Sequence, residues 1–198
     1  YVMFAVRGDA AGLHLHPCPE FSGLEGTQTL NLRFKEVQVS SDHVLAHPHQ
    51  FEAYMARIKA GFVLGQAGMG FGVIEGSLKT IRESNASNAG VNAFLDDQGS
   101  ELAAELAQLK ARAALLAHQA QTGHAPIIEA LKLRARTSEL TLRAANSAVL
   151  HAGAKGYLMR HPAQRRLREA VFVAIVTPAL KHLRKEIHDL EQLQAQAA

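Results

Sequence analysis

The feature that most constrains the fold is the stretch from Ser100 to Gln121, SELAAELAQLKARAALLAHQAQ. It is rich in Ala and Leu, which have high helix propensity, and its apolar residues recur at near-heptad spacing. These residues are Leu102, Leu106, Leu109, Ala113 and Leu116. A helix with such an apolar stripe has to bury it against other elements. The stretch therefore predicts a helix packed against other helices.

Three further segments share the helical period. One runs from about 51 to 84, and one from Pro126, at the first helical position, to about Ala152. The last starts near Pro162, is interrupted at Thr177-Pro178 and resumes to about Gln194, with Thr177 predicted as N-cap and Pro178 as the first helical residue. Long helices with short connections are typical of an antiparallel four-helix bundle, predicted here over residues 51–198.

The first 48 residues have a different period. Apolar residues alternate with polar ones in YVMFAV, LHLH, TQTLNLRF and KEVQV, which predicts antiparallel strands. In the third segment Leu30, Leu32 and Phe34 alternate with polar residues, as in a sheet with one covered face. The prediction is a mainly α chain with a partial antiparallel β-domain over 1–48. Because YVMFAV reads as a strand already in progress, we expect residue 1 to lie inside a longer polypeptide.

Two segments between these elements have distinctive composition. SNASNAGVNAFLDDQGS, residues 84–100, is rich in Asn, Ser and Gly and is predicted to be an exposed loop. GQAGMGFGVIEG, residues 65–76, lacks the spacing and the preceding strand of a dinucleotide-binding loop. Its glycines are therefore predicted to permit tight helix packing on one face. That face comprises Gly61, Gly65, Gly68, Gly72 and Gly76.

Composition excludes several classes of function. The formal net charge is +3, and the basic residues are scattered among acidic ones, so no nucleic-acid partner is expected. No apolar stretch reaches the roughly 20 residues that cross a bilayer, so no membrane span is expected. Cys18 is the single cysteine, which excludes an intrachain disulfide and favours a reducing, cytoplasmic location.

The sequence predicts neither a metal site nor a hydrolase site. His14 and His16 point to one side of a strand and Cys18 follows, but a fourth ligand and second shell are missing, so no metal site is predicted. The chain also lacks the G-x-S-x-G and H-E-x-x-H motifs of serine and zinc hydrolases.

Three segments, in order, resemble the acyl-CoA dehydrogenase family of flavoproteins. GLEGTQTLNLRFKEVQVSSDHVLAHP is similar to the end of that family's central β-domain, with its Thr-x-x-x-x-Phe-x-x-Val-x-Val pattern. RIKAGFVLGQAGMGFGVIEGSLKTI is similar to the first helix of its C-terminal bundle. AVLHAGAKGYLMRHPAQRRLREAVFVAI is similar to the Gly-rich turn and Arg-containing helix that close it. The resemblance covers nearly the whole chain.

The resemblance implies a set of FAD-binding residues. These are Thr27, Thr29, Arg82, Gly153 and Gly156. In the family, the turn matched by 153–156 contacts the adenine and pyrophosphate end of a neighbouring subunit's FAD, although Leu150 replaces the usual Gln. The loop at 86–90 lacks the family's Arg-x-x-Phe-Gly signature, and Arg82, one helical turn upstream, is the candidate substitute.

The catalytic carboxylate of the family is missing from both of its usual positions. Thr177 occupies the place of the Glu that removes the proton α to the thioester, and Ala60 occupies the second place. The resemblance thus implies an atypical FAD-dependent oxidoreductase acting on an acyl-CoA or related substrate. It also implies a homo-oligomer, dimer or tetramer, formed through the bundle. The alternatives are a flavin monooxygenase-like member or a non-catalytic oligomerisation or partner-binding homologue.

Overall fold

The computed structural model describes residues 1–123 and 125–197. The described residues divide into two compact units, one from Tyr1 to Ile58 and one from Lys59 onward. Residues 124 and 198, which fall within the predicted bundle domain, lie outside the described residues. The assignment of 1–48 and 51–198 to two domains stays a prediction.

The first unit contains two small antiparallel sheets. In one, β1 (Met3–Phe4) pairs with β4 (Val44–Ala46), and in the other β2 (Leu13–Pro17) pairs with β3 (Leu30–Phe34). The predicted strands at YVMFAV, LHLH and TQTLNLRF are present in shortened or shifted form.

Two details of this unit differ from the sequence prediction. KEVQV is not a strand, because Glu36 adopts a left-handed backbone, φ 53°, that ends the strand after Phe34. The strand β4 lies outside the four segments in which strands were predicted. The predicted covered face is also wrong for the described residues: Leu30, Leu32 and Phe34 are all exposed, since a two-stranded sheet cannot cover itself.

The second unit is the predicted helical bundle. Its helices are α1 (Phe51–Asn92), which starts in the first unit, α2 (Gly99–Gln121), α3 (Ile127–Ala152), α4 (Pro162–Ile175) and α5 (Leu180–Ala197). The helices α4 and α5 together form the fourth, interrupted helix. The mainly α fold with a four-helix bundle and a small antiparallel β portion is confirmed.

The core of the bundle surrounds α3, which packs against α2, α4 and α5. One apolar cluster contains Ile74, Leu78 and Ile81 of α1, together with residues of α2, α3 and α4. A second joins Val63, Leu131 and Leu183. Burial of such side chains contributes about 1.5–3 kcal/mol each. Because both clusters include residues of α3, this helix is the element on which the other helices assemble.

Buried hydroxyl groups on α3 are satisfied within the helix. Thr137, Ser138 and Thr141 each donate a hydrogen bond to the carbonyl four residues earlier. Small and hydroxyl side chains on α3 also leave room for close approach by α1. A Cβ at Gly70 would lie 2.6 Å from Thr137 Cγ2 and 2.8 Å from Thr141 Oγ1. Gly70 is therefore required for this contact.

The predicted packing face of glycines is largely wrong. A Cβ added at Gly61, Gly65, Gly68 or Gly72 would meet no described atom within 4 Å, and of that set Gly76 alone is crowded. The residue that packs against α3 is Gly70, which lies outside the predicted face. Spacing along a helix groups residues on a face but does not identify which face meets a neighbour.

The Asn-rich segment 84–100 is only partly a loop. Helix α1 continues through it to Asn92, with a kink at Asn88. The Asn88 side chain donates to Ser84 O at 3.3 Å, and Asn92 donates to Asn85 Oδ1 at 2.7 Å. These side chains bond back onto the helix, as is common where a helix bends, and Asn88 itself has a non-helical backbone with φ -123° and ψ 15°.

Helix α5 starts later than predicted. Thr177 and Pro178, joined by a cis peptide bond, precede it, and Ala179 O accepts from the amides of His182 and Leu183. Ala179 is thus the N-cap, and the assignment of Thr177 and Pro178 to the first positions of the helix is wrong. Pro126 is the N-cap of α3 instead of its first residue.

Candidate functional site

A Gly-containing turn joins α3 to α4. Gly153 ends α3 with a positive φ of 61°, and its amide donates to the carbonyls of Leu150 and Val149. A Cβ on Gly156 would lie 2.8 Å from Val149 O and 2.9 Å from Ala152 Cβ. The turn is therefore held tightly against the end of α3 and requires glycine at both positions.

A polar network fastens α1 to α3 beside this turn. The carbonyl of His151 accepts hydrogen bonds from Ser84 Oγ and, at 3.4 Å, from Asn92 Nδ2. The His151 imidazole is buried, with Nδ1 2.9 Å from Ser147 O. Arg82 lies two residues before Ser84 and is exposed. The structure thus places Arg82 and the Gly153–Gly156 turn at the same end of the bundle.

Cationic side chains surround this end of the bundle. Lys155 and Arg160 are exposed in the turn and the connection that follows, and Arg165 is exposed on the first turns of α4. His161 is the N-cap of α4, and its Nδ1 accepts from the Ala163 amide at 3.2 Å. Exposed cations next to a helix N-terminus favour the binding of anionic groups there.

Arg166 is held in a notch on α1. Its side chain crosses Gly76, where a Cβ would overlap Arg166 Nε, and Nη1 donates to Thr80 Oγ1 at 2.8 Å. Burial, and secondly the neighbouring Arg165, lower the pKa of Arg166, while Glu169 and Glu83 oppose this. Arg166 thus joins α4 to α1 as a structural contact.

The junction between α4 and α5 lies at the other end of α4. Helix α4 ends at Ile175, and the Val176 amide donates to Phe172 O at 2.8 Å. Thr177 is exposed in this junction. Its carbonyl accepts a 2.7 Å hydrogen bond from Nε2 of Gln66, a residue of α1 that is 9% exposed. The junction is thus tied by its main chain to α1.

A fully buried arginine also reaches this junction. Arg134 on α3 donates to Ser138 Oγ and, at 2.5 Å, from Nη2 to Val173 O in the last turn of α4. Burial lowers its pKa. Sequence reasoning missed both Arg134 and Gln66. The available signal was that Arg134 follows Ala130 by four residues and precedes Thr137 by three, which puts it on the buried face of α3.

The second position where a carboxylate was expected by resemblance contains Ala60 on α1. The adjacent Lys59 forms an ion pair with Glu186 of α5. Glu75, further along α1, pairs with Lys110 of α2. Both of these carboxylates already have a cationic partner, and neither occupies position 60 or 177.

Thr27 and Thr29 belong to the first unit and form a local polar pair. Their hydroxyl oxygens are 3.1 Å apart, and Thr27 Oγ1 also donates to Leu24 O at 2.8 Å. Both residues are exposed. The structure thus brings together Thr27 with Thr29. It places Arg82 at the same end of the bundle as the glycine turn without a described contact between them.

Among residues 1–123 and 125–197, no three His, Cys, Asp or Glu side chains converge as a metal site would require. His14 and His16 lie on the exposed side of β2, and Cys18 is half-buried. Within the same described residues, no helix is both long enough and apolar enough to cross a membrane.

No protein-family model and no curated protein matches the sequence. Several solved structures match the chain in fold. Butyryl-CoA dehydrogenase from Megasphaera elsdenii matches 96% of the chain with a TM-score of 0.84 and 16% identity, and the chain covers 51% of it. An acyl-CoA dehydrogenase from Geobacillus kaustophilus matches 96% with a TM-score of 0.82 and 17% identity, at 51% coverage of that protein.

FMN-bound TdsC from a Paenibacillus species matches 95% of the chain with a TM-score of 0.79 and 17% identity, and 54% of that protein is covered. The chain therefore spans about half the length of the structures it resembles. At these identities the likeness establishes the fold. The resemblance found in the sequence is thus confirmed in three dimensions, and the chain has the fold of the acyl-CoA dehydrogenases over the half that it spans.

Proposed function

We propose that this chain is the C-terminal part of an FAD-dependent oxidoreductase of the acyl-CoA dehydrogenase superfamily, acting on an acyl-CoA or related substrate without the usual catalytic carboxylate. The observation that carries the proposal is the likeness in fold along 96% of the chain to a butyryl-CoA dehydrogenase. Fold alone does not determine activity, so the proposal also depends on the residues at each end of α4.

The residues at the glycine turn fit an anionic cofactor. Arg82 and Lys155 are exposed cations at one end of the bundle, and the main chain is exposed at Gly153 in the turn. A pyrophosphate group requires such charges and a closely approaching backbone. By the resemblance, Gly153 and Gly156 would contact the adenine and pyrophosphate end of a neighbouring subunit's FAD, and Arg82 would meet a pyrophosphate. Thr27 and Thr29 of the first unit are proposed separately as cofactor contacts. When bound, the flavin supplies an acceptor for hydride.

The residues at the junction set a limit on the chemistry. Removal of the proton α to a thioester requires a base within hydrogen-bond reach. Neither Thr177 nor Ala60 can act as that base, and Glu186 and Glu75 are ion-paired. We therefore infer that the base comes from a position that does not match the family's two usual ones, or that the substrate needs no such base.

Anaerobic reduction tests this proposal. The intact protein is purified, its flavin content is measured from the visible absorption bands of oxidised flavin, and a panel of acyl-CoAs is added without oxygen. Bleaching by any acyl-CoA supports dehydrogenase chemistry. Bound flavin that no acyl-CoA bleaches, but that reacts with oxygen after chemical reduction to hydroxylate a substrate, would support the monooxygenase-like alternative.

A non-catalytic homologue is the second candidate, because positions 60 and 177 both lack a carboxylate. In that case the bundle would serve in oligomerisation or partner binding alone. Protein purified without flavin, and unable to take up added FAD or FMN in equilibrium dialysis, would favour it over the oxidoreductase.

We also propose that the bundle forms a homo-oligomer, a dimer or tetramer. Exposed apolar side chains support this: Tyr157, Leu158 and Met159 follow the glycine turn, and Val171 and Ile175 lie on α4. Grouped exposed apolar residues are typical of protein interfaces. Sedimentation velocity of the intact protein provides the test, and a purely monomeric profile over a wide concentration range would contradict it.

A further inference from the structure

The fully buried Arg134 has no carboxylate partner among the described residues. It is 0% exposed, and its hydrogen bonds go to Ser138 Oγ and Val173 O, while Nε has no partner there. A buried charge is costly unless it is compensated. Some feature of the surrounding protein has to balance the guanidinium.

The C-terminus of α4 provides that compensation. The last four carbonyls of a helix lack an intrahelical partner, and the helix end carries about half a negative charge. Helix α4 ends at Ile175, so Val173 O belongs to this last turn. Arg134 Nη2 meets it at 2.5 Å. The guanidinium thus both satisfies an unpaired carbonyl and neutralises the partial charge of the helix end.

Gln66 donates a hydrogen bond to the main chain just after Val176, whereas Arg134 donates to the main chain before it. Its Nε2 donates to Thr177 O at 2.7 Å, and the side chain is nearly fully buried. Two helices, α1 and α3, therefore each contribute one buried donor to a carbonyl at the C-terminal end of α4, Arg134 to Val173 O in its last turn and Gln66 to Thr177 O just after it. Because these buried donors bind main-chain carbonyls, they do not involve the side chain of Thr177, which is exposed.

We propose that Arg134 and Gln66 are positioning residues for the α4–α5 junction, Arg134 as the charged cap of α4 and Gln66 as the anchor of the Thr177 main chain. The relevance of these two residues to catalysis rests on the proposed function, in which Thr177 of this junction occupies the place of the family's catalytic Glu. The structural part of the proposal, local rigidity of residues 172–180, does not depend on flavin.

Amide hydrogen exchange on the intact protein tests this. Arg134→Met removes the charge and both hydrogen bonds, and Gln66→Leu removes the second donor. The matched control is Arg143→Met, on the same helix α3, which removes exposed ion pairs to Asp97 and Glu105 instead. We expect exchange in peptides covering 172–180 to rise about tenfold in Arg134→Met and Gln66→Leu, and to stay within about twofold in the control.

Arg134→Lys separates charge from general packing. Lysine keeps a cation near the helix end but has no planar fork, so exchange should rise by no more than about threefold. Equal acceleration in α2 peptides, 102–116, would show a general loss of stability and overturn the proposal. Unchanged exchange in 172–180 for both Arg134→Met and Gln66→Leu would overturn it as well. If Arg134→Met does not fold, Gln66→Leu and Arg134→Lys still decide it.

The catalytic part has a separate readout. In protein that is reduced by an acyl-CoA, Arg134→Met should lower the rate of flavin reduction about tenfold at unchanged flavin content. An unchanged rate would overturn the catalytic part of the proposal. Protein without flavin that shows the expected exchange pattern would contradict the proposed function and leave the positioning roles of Arg134 and Gln66 supported.

Discussion

The two ends of α4 are built in contrasting ways. The helix has 14 residues and is therefore about 21 Å long. Its N-terminal end follows a turn that is exposed at 153–155, is shaped by Gly153 and the buried Gly156, and has exposed cations at Lys155 and Arg160. Its C-terminal end is fixed by Arg134 and Gln66, two buried side chains from other helices.

This contrast indicates which end can change without loss of the fold. At the C-terminal end the interior holds main-chain carbonyls, so the exposed side chain at position 177 is free to vary. At the N-terminal end the backbone itself requires glycine, as at Gly156. A chain of this fold can thus have a residue other than a carboxylate at position 177 while Arg134 and Gln66 still hold the main chain of the junction.

The largest predicted effect comes from restoring a carboxylate at the junction. Thr177→Glu should raise the rate of flavin reduction by an acyl-CoA about 100-fold, because a positioned general base contributes about 10²–10⁴-fold. The measurement is stopped-flow reduction of the intact protein without oxygen. Thr177→Gln has nearly the same shape without a base and should leave the rate unchanged. Equal rates for both variants would mean that the junction does not face the reacting carbon.

The glycine turn is predicted to be the next most sensitive site. Gly156→Ala would put a Cβ 2.8 Å from Val149 O, a main-chain atom that cannot rotate away. The free energy of unfolding should fall by about 2–3 kcal/mol. Urea denaturation followed by circular dichroism measures this. Gly72→Ala, in a helix and with open space around it, should gain about 0.5–1 kcal/mol instead.

The contact of α1 with α3 at Gly70, which also lies near Val173 in the last turn of α4, should be somewhat more tolerant. Gly70→Ala crowds Thr137 Cγ2 at 2.6 Å and Thr141 Oγ1 at 2.8 Å, and these are side-chain atoms that can shift. We expect a loss of about 1–2 kcal/mol in the same denaturation experiment. Gly68→Ala on the same helix is the matched control. A greater loss for Gly70→Ala than for Gly156→Ala would reverse the ranking of the two ends.

The smallest effect on stability is expected at the exposed side of the turn. Tyr157 is 80% exposed, so Tyr157→Ser should change the free energy of unfolding of the monomer by no more than about 0.5 kcal/mol. If the proposed oligomer uses this surface, the same substitution should weaken association in sedimentation equilibrium. A stability loss above about 1 kcal/mol, at a protein concentration where the chain is monomeric, would contradict this assignment.

The sequence predicted the helices well because their apolar spacing reflects burial directly. Leu102, Leu106 and Leu116 were assigned to a packed face of α2 and are buried there. The strands were predicted less well. Whether Val44–Ala46 forms a strand depends on its pairing with Met3–Phe4, and that pairing is distant in sequence. Local pattern carries no information about such a partner.

Some residues of the candidate site were likewise found from the sequence and others were missed. The glycine turn was found from its motif, and Gly153 and Gly156 do have the special backbone and packing that glycine permits. Their role toward FAD stays a prediction, as do those of Arg82, Thr27 and Thr29. Arg134 and Gln66 were missed, because a polar residue on a buried face is recognised only when its partners, here Val173 O and Thr177 O, are known.

The notch at Gly76 links two positions that are far apart in the sequence. Because the Arg166 side chain occupies the space of a Cβ at position 76, a side chain at 76 would have to displace Arg166. Sequences of this fold should therefore covary here: a side chain at 76 should be accompanied by a shorter residue at 166 and by loss of the need for a hydroxyl at Thr80. An alignment of close relatives would reveal that linked substitution as a pairwise signal between α1 and α4.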